Sequence, residues 1–226
     1  MAVTIPQKAF TFLQKLAKNN DRDWFNEHKK EFKAVEAEIK EFYNELLHRI
    51  QEYDNIEKLK IFRIYRDVRF SKNKDPYKTH FGGNFIRIKP NLRGSYYLHI
   101  APEGSFIAVG FWAPEKEDLL RIRKELELDA SELREIIEEK SFKKIWGELE
   151  GEELKTAPKG FKKDHENIDL IRKKQFVFTK YFSDEEVLSP NFIEEINTAF
   201  KAIRPYFDYM TDVLTTDENG LSLLDN

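Results

Sequence analysis

Between Lys60 and Arg93 the chain carries ten Lys/Arg against two acids, Asp67 and Asp75, a local charge of +8 in a protein of formal net charge −3. Cations that dense repel one another unless solvent or an anionic partner neutralises them, so the chemistry they suggest is anion binding. Arg63, Arg66, Arg69, Lys74 and Lys78 are the candidate anion-binding residues here, and Lys155 and Lys159 are the candidates in a second basic segment. Read as an extended run, Ile61–Phe70 places Arg66 in phase with Phe62, Ile64, Val68 and Phe70, while Arg63, Tyr65, Asp67 and Arg69 share the other face. An arginine in an apolar row needs a carboxylate or a ligand, because an unpaired buried charge costs several kcal/mol. Asp67, beside Arg69, is placed to hold that guanidinium ready for a carboxylate or phosphate.

The following loop, Ser71-Lys72-Asn73-Lys74-Asp75-Pro76-Tyr77-Lys78-Thr79-His80, gathers hydroxyls, amines and an imidazole before Gly82-Gly83 enters the next β-rich run. Glycines inside a strand mark a bulge or a close backbone approach. No Gly-x-x-x-x-Gly-Lys-Ser/Thr or Gly-x-Gly-x-x-Gly pattern names a nucleotide, and no Gly-x-Ser-x-Gly elbow points to a hydrolase. His80 and His165 are the candidate proton carriers, with Asp164 as a partner for His165. The competing reading makes Asp164 a helix cap and His165 a first-turn surface residue. The five histidines have no zinc spacing, so no metal site is expected. Of the Glu-x-Lys triplets, only Glu153-Leu154-Lys155 lies outside an expected helix, where such a triplet could serve a nuclease. The sequence leaves any cofactor open.

At 226 residues and 40% hydrophobic, the chain suits one core better than two. It has no cysteine, which excludes disulfides, thiolate metal sites and a cysteine nucleophile. Its Met1 to Pro6 start has no basic region leading into an apolar one, and no run approaches a membrane span, so a cytoplasmic protein with no membrane partner is expected. Charge is segregated: +8 over 60–93, −6 over 115–153, +5 over 154–182 and −8 over 183–226. That pattern fits either a bipolar surface or charges that mix in space.

The elements that must position these groups read as helix, sheet, helix. Ile5–Lys18 is a short amphipathic helix, and Arg22–Tyr53, capped by Asp21, is one helix about 48 Å long. Ile61–Phe70, Phe81–Lys89, Ser95–Ala101 and Ser105–Trp112 are β-rich, the last two joined by the turn Pro102-Glu103-Gly104. Helices are expected over Glu115–Leu126 and Ala130–Lys140, a short one capped by Ser141, and another from Asp164 to Arg172. Gln175–Phe182 is a fifth strand, and the final helix starts at Ser189-Pro190 and breaks at Pro205. From about residue 215 the chain reads as a frayed polar tail.

Arg63-Ile64-Tyr65-Arg66-Asp67-Val68-Arg69-Phe70-Ser71-Lys72, followed by Pro76-Tyr77-Lys78-Thr79-His80, closely resembles the signature of the bacterial and fungal family called domain of unknown function 2461. Asn19-Asn20 with Trp24-Phe25, Tyr96-Tyr97-Leu98-His99, and Leu154-Lys155-Thr156-Ala157-Pro158-Lys159-Gly160-Phe161 with Asp164-His165 resemble its other motifs. The resemblance covers nearly the whole chain and implies membership without a mechanism. The chain departs from the family at Ile107-Ala108-Val109-Gly110, where relatives are richer in glycine, which puts a close backbone approach there in question.

The expectation is one α+β domain over 1–226, an antiparallel sheet of about five strands covered by helices, with a basic cavity between the Arg63–His80 and Lys155–His165 segments. Three functions fit. The first is a binder, or enzyme, for a phosphorylated or carboxylated small molecule. The second is a nucleic-acid-binding module stacking bases on Tyr65, Tyr77 or Phe81. The third is a structural or partner-binding protein without a ligand. The sequence leaves the oligomeric state open.

Overall fold

The structure, a computed structural model, describes residues 3–224. The first two residues of the Met1 to Pro6 start and the last two of the polar tail therefore lie outside the described residues. Among the described residues ten helices accompany one five-stranded antiparallel sheet of order β1-β2-β3-β4-β5, an α+β architecture. The strands are β1 (Ile56–Ile61), β2 (Phe81–Arg87), β3 (Ser95–Ile100), β4 (Ser105–Phe111) and β5 (Phe176–Phe182). The turn between β3 and β4 closes through the Gly104 amide on the Ala101 carbonyl, 3.2 Å, with Glu103 in the left-handed region at φ 57°. Backbone packing divides the chain into two compact units, one of Met1–Phe85, Tyr97–Ile107 and Tyr181–Thr198, the other of Ile86–Tyr96, Ala108–Lys180 and Ala199–Asn226.

In the first unit α1 (Gln7–Lys18), α2 (Arg22–Glu27) and α3 (Lys29–Gln51) supply the helical layer. The single long helix expected over Arg22–Tyr53 is in fact two. Asp21 caps α2 as expected, accepting from the Asp23 and Trp24 amides. The chain then turns at His28 (φ −97°, ψ 9°), whose Nδ1 lies 2.8 Å from the Trp24 carbonyl and whose ring stacks on the Trp24 indole. A side chain that takes a helical carbonyl and an aromatic face at once ends the helix locally, leaving α3 about 34 Å long. The buried face of α3 (Phe32, Val35, Ile39, Phe42, Tyr43, Leu46, Ile50) meets strand residues: Phe32 stacks on Phe81, Tyr43 on Phe85, and the Tyr43 hydroxyl donates to the Leu98 carbonyl at 2.9 Å. Gly83 makes this possible, since a Cβ there would sit 2.4 Å from the Tyr43 ring. The close approach expected at Gly82-Gly83 is thus made by aromatic side chains.

The second unit holds α4 (Lys116–Leu128), α5 (Ser131–Glu138), α6 (Lys140–Trp146), α7 (Ile168–Ile171) and α10 (Arg204–Thr215), while α8 (Asp184–Leu188) belongs to the first and α9 (Phe192–Ala202) is divided between them. Glu139 caps α6 in place of Ser141, accepting from the Phe142 amide. Asn167 precedes α7, so Asp164 is not its cap. The final helix expected from Ser189 is α9 followed by α10, with Pro205 in the first turn of α10; before them lies the unexpected short α8, whose N-terminus is closed by a Ser183/Glu186 capping box. Within residues 216–224 the chain makes a turn: Asp217 accepts from the Asn219 and Leu221 amides, and Thr216 bridges to Ser222. Arg121 donates to the Thr216 and Asp217 carbonyls.

One domain over residues 1–226 remains our proposal, because five strands drawn from both ends of the sequence make one sheet. Chemical denaturation is expected to show a single transition, and limited proteolysis that leaves a stable fragment ending between Glu125 and Glu153 would contradict it.

Candidate functional site

The strand expected over Ile61–Phe70 does not form; β1 ends at Ile61, and its edge position leaves three of its six residues exposed. After the Phe62 amide bonds the Gly82 carbonyl, Ile64–Arg66 pairs with Pro76–Lys78 through Arg66 N to Pro76 O (2.9 Å) and Lys78 N to Ile64 O (2.7 Å). Asp67 ends this arm by accepting from the Arg69 amide and gripping the Arg69 guanidinium at 2.6 and 2.9 Å, a local bond that competes with strand pairing. The far leg is fixed by Asn20, whose amide donates to the Tyr77 carbonyl (3.0 Å) and accepts from the Tyr77 amide (3.1 Å) as a neighbouring strand would. Tyr77 itself is buried against Phe25, ring centroids 4.0 Å apart. Residues far apart in sequence thereby hold Arg66 and Lys78 on one arm.

The local +8 is not a uniform patch. Arg87 is fully buried, its guanidinium 4.8 Å over the Phe207 ring and donating to the Arg93 carbonyl at 2.6 Å, and Arg93 pairs with Asp118. Arg69 is held by Asp67, and Lys74 donates to the Val68 carbonyl within its own loop. Among the described residues Arg63, Arg66 and Lys78 have no carboxylate within salt-bridge distance. Half-buried Arg66 makes one side-chain hydrogen bond, to Ser71 Oγ at 3.4 Å. The ion pair weighed for Arg66 is therefore not made. Phe70, expected in its apolar row, is 96% exposed.

His80 stands beside these cations. Burial, then the charges of Lys78 and Arg66, push its pKa down to about 4. Its ring lies 4.1 Å from that of His99, which burial and His80 also push down to about 4. His99 Nδ1 is 3.1 Å from the Tyr97 hydroxyl, and its ring stacks on Phe106 at 4.6 Å and 14°. Burial raises the Tyr97 pKa, so the phenol keeps its proton and can donate to Nδ1, the tautomer that carries its proton on Nε2. Burial, and secondarily Arg63, lowers the Lys78 pKa. The corner thus joins two neutral imidazoles to two cations, an arrangement able to bind an anion and to accept a proton from it.

The histidines carry a pH signature. Their folded pKa values lie below the unfolded 6.5, so between pH 6.5 and about 4 the unfolded chain binds more protons. Their contribution to stability is whole above pH 6.5 and is lost as pH falls toward 4. Melting temperature is expected to drop across that window less steeply in His80→Asn than in wild type; parallel curves would show that His80 is not held neutral.

Lys155, Lys159, Asp164 and His165 belong to the second compact unit, and Arg63, Arg66, Arg69, Lys74, Lys78 and His80 to the first. Lys155, Lys159 and Asp164 are exposed. His165 Nδ1 accepts from the Asn167 amide at 3.1 Å, holding the turn before α7. Glu153 pairs with Arg172. Tyr77 and Phe81, two of the rings offered for base stacking, are buried, whereas Tyr65 is 46% exposed. Sequence reasoning missed Tyr97, His99 and Phe106 as site residues. The available signal was alternation, which sets Tyr97 and His99 on the strand face opposite buried Tyr96, Leu98 and Ile100. Among the described residues no group of three or more His, Cys, Asp or Glu side chains could hold a metal ion, and no helix is long and apolar enough to cross a membrane.

The family described as conserved hypothetical protein (DUF2461) matches residues 8–209, and the chain belongs to it. No curated protein and no solved structure gives a significant match.

Proposed function

We propose that this member of the conserved hypothetical family DUF2461 binds a phosphorylated or carboxylated small molecule at the Arg66–Lys78–His80 corner of its first compact unit. The observation that carries the reading is that the charges of Arg66 and Lys78 both act on half-buried His80 while neither has a carboxylate partner among the described residues; Arg66 bonds only Ser71 Oγ, and the Lys78 ammonium donates to the Arg63 carbonyl at 3.0 Å. Arg66 supplies a planar fork for two oxygens and Lys78 a point charge. His80, neutral at pH 7, donates one hydrogen bond or serves as a base if the bound molecule reacts. Arg63, Arg69 and Lys74 extend the positive field and steer approach, with Arg69 turned toward Asp67 and Lys74 toward its own loop. Lys155, Lys159, Asp164 and His165 are not assigned to this corner.

A thermal-shift titration tests the proposal. Phosphate, sulfate and citrate, added at constant ionic strength against chloride, are expected to raise the melting temperature saturably, by RT ln(1 + [L]/Kd) in free energy. An equal response to chloride would overturn it. A polyanion site would instead show affinity falling steeply and linearly on a log-log salt plot.

A further inference from the structure

We propose that the rings running from His99 through Phe106 to Tyr181 form a stacking shelf for a planar heteroaromatic group, so that the anion at Arg66 and Lys78 is the phosphate of a nucleotide-class compound. This rests on the anion reading above and supplies the other half of the ligand. On one face of the sheet, within the first unit, His80 meets His99 at 4.1 Å, His99 meets Phe106 at 4.6 Å, and Phe106 meets Tyr181 at 5.7 Å. The row thus runs from His80, just before β2, to β5, three strand spacings or roughly 14 Å. One phosphate, one sugar and one base laid end to end can cover that span. Tyr181 is 68% exposed and tilted 49° to Phe106, whereas half-buried His99 and Phe106 turn one face each toward the other, so Tyr181 is the ring that solvent reaches most. Every base has a π face, which makes stacking on Tyr181 the natural use of a ring row beside an anion corner.

Charge is complementary to this occupant and to its orientation. The cations Arg63, Arg66 and Lys78 stand at the β1–β2 end, whereas Tyr181 leads within three residues into Asp184, Glu185 and Glu186 of α8. A ligand with one anionic head and one neutral ring fits that polarity. A single-stranded nucleic acid would carry phosphates along the whole row and meet the acids at its far end.

The test is calorimetric binding of AMP, ribose 5-phosphate and an oligothymidylate to wild type, Tyr181→Ala and Arg66→Met, with circular dichroism to confirm folding. AMP is expected to bind about tenfold more tightly than ribose 5-phosphate. Tyr181→Ala should remove that advantage and keep ribose 5-phosphate binding, while Arg66→Met weakens both. Equal affinities in wild type, unmoved by Tyr181→Ala, would overturn the shelf and leave the anion reading standing. Failure of both compounds to bind, with no anion-dependent melting shift, would remove both inferences. Oligothymidylate binding more tightly than AMP, with a steep salt slope, would overturn the single-nucleotide assignment.

Discussion

Arg66→Met is expected to fold with a melting temperature equal to or above that of wild type and to lose the stabilisation that phosphate or sulfate gives. The side chain is half-buried, has no carboxylate partner among the described residues, and makes only a 3.4 Å bond to Ser71 Oγ. Methionine keeps the length of the stem, so the packing of the arm is preserved and the cost of desolvating a cation disappears. The two backbone bonds that fix the arm, at Arg66 and Lys78, do not depend on the side chain. A loss of about 3 kcal/mol or more without ligand would mean that the charge has a structural partner left uncompensated. In that case Arg66 leaves the site.

Gly110→Ala is expected to cost about 3 kcal/mol or more in chemical denaturation. Gly110 has φ 116°, which a residue with a Cβ adopts only with strain, and that Cβ would lie 2.2 Å from the Phe176 carbonyl oxygen. Backbone cannot yield as a flexible side chain does. The same oxygen also accepts the buried Tyr206 hydroxyl at 2.9 Å, so moving it disturbs the packing of α10 as well. Gly104→Ala is the control, since the nearest atom is 3.8 Å away and no positive φ is required. A Gly110→Ala loss no larger than that of Gly104→Ala would contradict the account.

Much of the fold was legible because β2 to β5 alternate or run apolar between clear turn signals, and because the charged helices have unambiguous period. The departure from the family pattern at Ile107–Gly110 did not remove close backbone approach, because the one glycine kept, Gly110, is the one that makes it. The break at His28 was not legible, since it depends on a ring finding both a carbonyl and an indole. Nor was β1: Ile56, Leu59 and Ile61 follow neither period, while the more regular alternation after Ile61 belongs to an arm paired with Pro76–Lys78. For the site, the sequence marked the density of cations but not which were already engaged. Arg87 and Arg93 are spent on Phe207 and Asp118, partners more than twenty residues away in sequence. The His80–His99 contact joins the residue before β2 to β3 and likewise has no local signature.

The central claim is that an anion binds at Arg66, Lys78 and His80, and the imidazole resonances of His80 and His99 report on it most directly. Titrating inorganic phosphate at pH 7 and constant ionic strength, followed by nuclear magnetic resonance of the five histidines, is expected to shift His80 most. His99 should follow, His28, His48 and His165 should stay in place, and the response should saturate in wild type and be absent in Arg66→Met. A uniform, unsaturating drift of all five rings, or the same His80 shift in Arg66→Met, would contradict it.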